Sequence, residues 1–185
     1  MLSICVYLGA NPGKDPQFTE AVTCLGQEIV KRNWSLIYGG SSLGLMGLLA
    51  NTVKKHGGKA IGIITKQLIN QEQPLASLDE LHLVNSMHER KHLMQQKADL
   101  FLVMPGGLGT LEEAFDTWNA IKLGLFSKPI GFLNTNGYFD DLFSFMANCA
   151  EQGFISPKQQ QLPIISADIK HLLTQMSCTI KKEST

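Results

Sequence analysis

Short, wholly apolar runs alternate along this chain with stretches whose apolar residues recur at helical spacing. That alternation constrains the fold more than any other feature. Residues 3–8 (SICVYL), 35–38, 59–64, 81–84, 100–104 (LFLVM), 129–133 and 163–165 read as strands. Between them the spacing predicts helices over 16–32, from Gly44 to about His56, and over 87–98, 111–123, 138–152 and 168–176. In the first helix, Val22, Leu25, Ile29 and Val30 supply the apolar stripe. A strand apolar at every position has no face for water, so helices must cover both sides of the sheet it joins. The expected fold class is α/β: a single doubly wound parallel sheet with helices on both faces, Rossmann-like. One domain is expected over residues 1–177, with a frayed tail over 178–185.

Composition narrows the partners. The chain has 185 residues, 44% hydrophobic and 17% charged, which is globular rather than disordered. Sixteen Lys and Arg balance sixteen Asp and Glu, so no electrostatic footprint exists for duplex nucleic acid or an anionic membrane. Neither is expected as a partner. Cys5, Cys24, Cys149 and Cys178 form no C-x-x-C pair, which suits reduced, packed thiols. The run at 3–8 is too short for a signal peptide, and no apolar run reaches the ~18 residues of a membrane span. The expectation is a cytoplasmic protein.

In a parallel sheet, ligands sit beyond the carboxyl ends of the strands. That rule selects three loops: 9–15, 39–47 and 105–113. The first lacks the G-x-G-x-x-G of a dinucleotide site, and no acidic residue ends the second strand for a ribose. Lys14 suggests a P-loop, but the spacing is one residue short and Asp15 stands where Ser or Thr belongs. The third loop, Pro105-Gly106-Gly107-Leu108-Gly109-Thr110, joins a buried strand to a helix start. Its glycines let backbone N–H groups fold around an anion, and the helix dipole adds positive charge. Thr110 adds a hydroxyl. A tight turn with Thr110 as helix N-cap is the structural alternative, and Thr110-x-x-Glu113 has the form of a capping box. A carboxylate one turn inside an anion-binding helix also stands beside whatever the anion is attached to.

His88-Glu89-Arg90-Lys91-His92 matches the zinc motif H-E-x-x-H, with Glu112 twenty residues beyond His92 as a possible third ligand. Arg90 and Lys91 sit awkwardly in the middle of a buried zinc helix, and the intervening strand and turn give Glu112 a different setting. No metal is expected.

Met87-His88-x-Arg90-Lys91, followed by Pro105-Gly106-Gly107-x-Gly109-Thr110-x-x-Glu113, resembles the LOG family. These are the cytokinin riboside 5′-monophosphate phosphoribohydrolases, often labelled lysine decarboxylases. Tyr38-Gly39-Gly40-x-x-x-Gly44-Leu45-Met46-Gly47 resembles another family block, as do 131–137 and 153–155. The resemblance covers residues 3–155. It implies a nucleotide-binding domain that hydrolyses the N-glycosidic bond of an adenosine 5′-monophosphate to an adenine-type base and ribose 5-phosphate, with no cofactor. It also implies Arg90 and Glu113 as the catalytic pair. Substrate binding falls to Glu72, Arg90, Lys91, Gly106, Gly107, Leu108, Gly109, Thr110, Leu111, Glu112 and Glu113. Gly39, Gly40, Gly44, Met46 and Gly47 become phosphate-loop candidates. The pattern departs at Ser41, where the family has glycine, and at Asn119-Ala120-Ile121-Lys122-Leu123-Gly124, which bears on the base pocket.

Cleaving a ribosyl–base bond builds positive charge on the sugar carbon, which a carboxylate stabilises. Glu113 takes that role, with Arg90 orienting it and the sugar or phosphate. Two other functions remain open: an AMP nucleosidase without prenyl preference, and a nucleotide- or pterin-binding module without turnover. Met87, Leu93 and Met94 beside Arg90 and Lys91 suggest a homodimer contact bordering the site.

Overall fold

The central strands are apolar on both faces, and the structure covers both. The computed structural model describes residues 1–183. Seven parallel strands, β1 (Ser3–Tyr7), β2 (Ser35–Tyr38), β3 (Lys59–Thr65), β4 (Glu80–Val84), β5 (Leu100–Val103), β6 (Ile130–Leu133) and β7 (Ile164–Ser166), form one sheet in the order β4-β3-β2-β1-β5-β6-β7. Eight α-helices connect or follow them: α1 (Pro16–Lys31), α2 (Gly44–Lys55), α3 (Ile69–Glu72), α4 (Met87–Lys97), α5 (Leu108–Lys122), α6 (Asp140–Glu151), α7 (Pro157–Gln160) and α8 (Ile169–Glu183).

Alternate residues of each strand feed two cores. Ile4, Val6, Leu36, Tyr38, Leu100 and Leu102 pack under α1, α2 and α8, against Leu25, Leu49 and Leu172. Cys5, Tyr7, Ile37, Phe101, Val103 and Phe132 pack under α4, α5 and α6, against Met94, Ala114 and Trp118. This is the doubly wound α/β sheet that the apolar strands predict. None of the described helices is long and apolar enough to cross a membrane.

Several boundaries differ from expectation. The connection over 65–80 holds the short helix α3, and Ser41 bridges to Pro74 from across the sheet end. Helix α7 was not expected from the apolar pattern; Ser156 and Gln159 form its capping box. Helix α8 continues past Met176 to Glu183, so the stretch expected to fray from Cys178 is helical through Glu183, and residues 184–185 lie outside the described residues. The most consequential change is at α5, which starts at Leu108 with Gly107 as its N-cap. Thr110 therefore lies inside the first turn, and the Thr110–Glu113 capping box does not form.

The strand order reverses between β1 and β5: β2, β3 and β4 run out on one side, β6 and β7 on the other. Such a switch point splays the two flanking loops apart and opens a crevice at the carboxyl ends of the strands. The loops are those after β1 and after β5.

Candidate active site

The crevice at the switch point is a cleft of about 430 Å³, within the size range of small-ligand sites. The loop after β1 contributes Gly9 through Gly13, and the turn after β5 contributes Pro105 through Gly109 with Thr110 behind it. Arg90, Glu113 and Glu72 supply its charged groups. The two loops are laced together by the Gly9 N–H, which donates to the Pro105 carbonyl at 3.2 Å.

The start of α5 is built to leave donors free. Gly107 offers no side chain to cap it, and the first turn's leading N–H groups have no partner within the helix. Gly106 is glycine because of its neighbours: a Cβ there would sit 2.1 Å from the Thr110 Oγ1 and 2.9 Å from the Gly9 nitrogen. Gly107 and Gly109 are different. A Cβ on either would meet nothing within 4 Å, and neither has a positive φ. Nothing in the chain itself requires glycine at these two positions. Both are exposed at the cleft, where a bare backbone lets a ligand approach closely.

Arg90 reaches the cleft from α4, beneath the ends of β2 and β3. Its Nε donates to the Ile63 carbonyl at 3.0 Å and an Nη to the Gly39 carbonyl at 3.2 Å. The same Nη lies 3.9 Å from a Glu113 carboxylate oxygen. The two side chains form an ion pair too long for a hydrogen bond, with Arg90 held by backbone carbonyls rather than by the acid. Glu113, one turn into α5, is buried. Desolvation pushes its pKa up from 4.5 to about 7. Arg90 and Lys91 pull it down, while Glu112 and Glu72 push it further up. A carboxyl group poised near neutrality at the base of a cleft is suited to proton transfer.

Glu72 stands on the opposite wall, at the end of α3. Its backbone carbonyl accepts from the Ser41 hydroxyl at 3.1 Å and from the Ser42 N–H at 3.2 Å. Ser41, the departure from the family's glycine, is thus the anchor that docks the 65–80 connection. One Glu72 carboxylate oxygen is buried without a hydrogen-bond partner.

Other nominated residues lie elsewhere. Lys91 points to the far side of α4, where its ammonium pairs with Glu112 and, at 3.3 Å, with Asp116. Desolvation pulls the Lys91 pKa down, but those two carboxylates outweigh it and hold it above its ordinary value. Leu111, in the first turn of α5, is partly buried against the core. Lys91, Leu111 and Glu112 therefore do not line the cleft. Of the 39–47 block, only Leu45 and Met46 do. Gly39 leaves room for Arg90, whose Nη would lie 2.1 Å from a Cβ; Gly44, at φ +52°, lies against the Ala10 carbonyl; Gly47 lies against the Ser42 carbonyl. Gly40, at φ +82°, meets the β3 backbone. Each of these glycines has a close neighbour within the chain that leaves little or no room for a side chain. His88 and His92 are exposed, Glu89 closes the start of α4 by accepting from the Asn85 N–H at 2.7 Å, and His92 contacts Gln96. Among the described residues no three His, Cys, Asp or Glu side chains are grouped to hold a metal.

Sequence reasoning did not single out Phe18 and Tyr138, which complete the wall. For Tyr138 a signal existed: it lies just beyond the carboxyl end of β6, where the strand-end rule also applies.

Comparison with known proteins gives the chain a family and a fold. The model of a family described as possible lysine decarboxylase matches residues 46–176. The cytokinin riboside 5′-monophosphate phosphoribohydrolase LOG7 of Arabidopsis thaliana is 39% identical over 173 residues, spanning 94% of this chain and 80% of that protein. Its relative LOG3 from the same plant is 40% identical over the same shares. Among solved structures, the molybdenum cofactor carrier protein of Chlamydomonas reinhardtii superposes with a TM-score of 0.74 at 18% identity, over 97% of this chain and 98% of that one. The molybdenum cofactor binding protein of Rippkaea orientalis gives 0.70 at 22% identity, over 97% of each chain. At such identities these two share the fold.

Proposed function

Because the chain belongs to the LOG family of cytokinin riboside 5′-monophosphate phosphoribohydrolases, we propose that it hydrolyses the N-glycosidic bond of an N6-substituted adenosine 5′-monophosphate. The products are the free base and ribose 5-phosphate. One observation carries the reading: a buried carboxyl held near pH 7, 3.9 Å from a fixed guanidinium, one turn inside an uncapped helix start.

The phosphate sits on the N–H groups of Gly107, Leu108, Gly109 and Thr110, favoured by the helix dipole. The ribose then lies over Glu113. As the bond between the sugar carbon and the base nitrogen breaks, its electron pair leaves with the base and positive charge grows on the sugar. The ionised Glu113 stabilises that charge. Water attacks the sugar carbon, Glu113 takes its proton, and the proton passes to the departing base. Arg90 keeps the carboxylate oriented and presents its remaining N–H groups to the substrate. Lys91 and Glu112 act at a distance, through their charges on Glu113.

The family description notwithstanding, decarboxylation of lysine has little to stand on. Pyridoxal chemistry needs a lysine for its Schiff base, and none of the residues lining the cleft is a lysine.

The reading includes a homodimer in the cytoplasm. Leu93 and Met94 do not support the dimer, because Met94 is fully buried in this chain's own core and Leu93 packs beside it. Exposed Met87, Leu123 and Leu125 give that surface its remaining support. Light scattering tests it; a monomer with full activity would remove it.

Incubation with AMP and with isopentenyladenosine monophosphate, followed by quantification of free base, tests the function. Release from the prenylated substrate supports the reading. Equal release from both makes the protein a general AMP nucleosidase. Binding without release leaves a nucleotide- or pterin-binding module.

A further inference from the structure

The turn that binds phosphate in this reading has a weakness. The peptide joining Gly106 to Gly107 is flanked by two residues without Cβ atoms, so it can rotate as a unit at little cost. In one orientation its N–H faces an anion at the start of α5; in the other its carbonyl does, and repels it. In a trans peptide the N–H and C=O point in opposite directions, and no peptide bond among the described residues is cis. Fixing the carbonyl therefore fixes the N–H.

The structure shows what fixes it. The Tyr138 hydroxyl donates to the Gly106 carbonyl at 2.7 Å. The preceding carbonyl, of Pro105, is held by the Gly9 N–H. Both carbonyls of the turn are thus tied back. A Cβ on Gly107 would meet nothing within 4 Å, and the bond its carbonyl accepts from the Leu111 N–H at 3.1 Å holds the following peptide, not this one.

The segment bearing Tyr138 is itself braced. Its ring packs edge-on against Phe18 and Phe139, at centroid distances of 5.5 and 5.0 Å. Two residues earlier, Asn136 adopts φ 52° in the 3-10 turn Thr135–Gly137, and its amide donates to Asp15 at 2.6 Å. That bond ties the loop after β6 to the N-cap of α1. A non-glycine residue in the left-handed region is uncommon. Here it turns the chain so that Tyr138 follows directly over the cleft.

We propose that Tyr138 is a positioning residue for the phosphate site: its hydroxyl parks the Gly106 carbonyl and thereby aims the Gly107 N–H at the anion. The inference rests on the proposed placement of the nucleotide phosphate at this turn.

Tyr138→Phe removes the hydroxyl and keeps the ring contacts. Calorimetric titration of wild type and variant with AMP, inorganic phosphate and adenosine is the test, alongside thermal melts. AMP and phosphate should bind about five- to tenfold more weakly to the variant, with adenosine unchanged. The KM for nucleotide should rise by a similar factor with kcat little altered. A hydroxyl with a merely structural role would lower Tm and leave the ratio of AMP to adenosine affinity unchanged, which overturns the proposal. So does an equal AMP affinity in the two proteins. Wild-type protein that binds adenosine but neither AMP nor phosphate would overturn the phosphate placement and this inference together.

Discussion

Two glycine-rich segments follow strands and open helices in this molecule, and they do different work. In the segment after β2, Gly39, Gly44 and Gly47 each sit where a Cβ would collide with this chain's own atoms, at 2.1, 2.1 and 1.9 Å. In the segment after β5, Gly107 and Gly109 face open space. The first set lets Arg90 and two backbone carbonyls come close. The second set bares N–H groups at an uncapped helix start. Glycine serves the chain's own packing in the first segment, whereas the second leaves open space that the proposed reading gives to a ligand, and only the neighbours tell the two apart.

The sharpest test of this contrast lies in the helix that the second segment opens. Glu113→Gln should lower the rate of base release about a thousandfold while AMP affinity changes little, because the carboxylate acts on charge that develops in the transition state. Retained turnover would reduce the second segment to a binding feature.

Alanine substitution separates the two glycine sets directly. Gly47→Ala should destabilise the protein by about 3–5 kcal/mol, since backbone must move to relieve the contact. Gly109→Ala should do the reverse to stability, adding about 0.5–1 kcal/mol by the helix propensity of alanine, while weakening AMP binding about tenfold. Thermal melts and titrations read both effects. A Gly109→Ala protein that melts early and binds normally would break the distinction.

The pH dependence follows from Glu113, whose pKa burial raises from 4.5 to about 7. A raised carboxyl pKa favours the folded state fully below the unfolded value, and that contribution is lost as pH rises through the folded value. The window therefore runs from about pH 4.5 to about 7, and the loss is roughly 3 kcal/mol. Glu113→Gln should flatten this slope in denaturation measured at pH 5 and pH 8. Over the same range kcat/KM should rise and level off above about pH 7, as the carboxylate forms. An activity that falls across this window would make Glu113 an acid rather than a base.

The smallest effect is expected on the exposed face of α4. His92→Ala should keep activity within about twofold, and a chelator should leave the rate unaltered. Loss of turnover with either would return the H-E-x-x-H motif to consideration.

The parts governed by local physics were legible in the order of the residues alone. Residues 3–8 and 100–104, apolar at every position, could only be strands buried on both sides, and the helical spacing between strands set the layers. The carboxyl-end rule selected the loops after β1, β2 and β5, and the first and third supply most of the cleft's backbone lining; the family resemblance of the paired motifs singled out Arg90 and Glu113. Folding alone settled what depends on distant neighbours. It set β1 beside β5, bringing Gly9 to Pro105 and opening the cleft between them. It turned Lys91 away to Glu112 and Asp116, although Lys91 adjoins Arg90 in the chain, because successive residues on a helix face about 100° apart. It began α5 three residues before the expected position, converting a capping box into a row of free N–H groups. It also raised the pKa of Glu113, since a pKa depends on burial and on charges from α3 and α4 that meet the carboxyl only after folding.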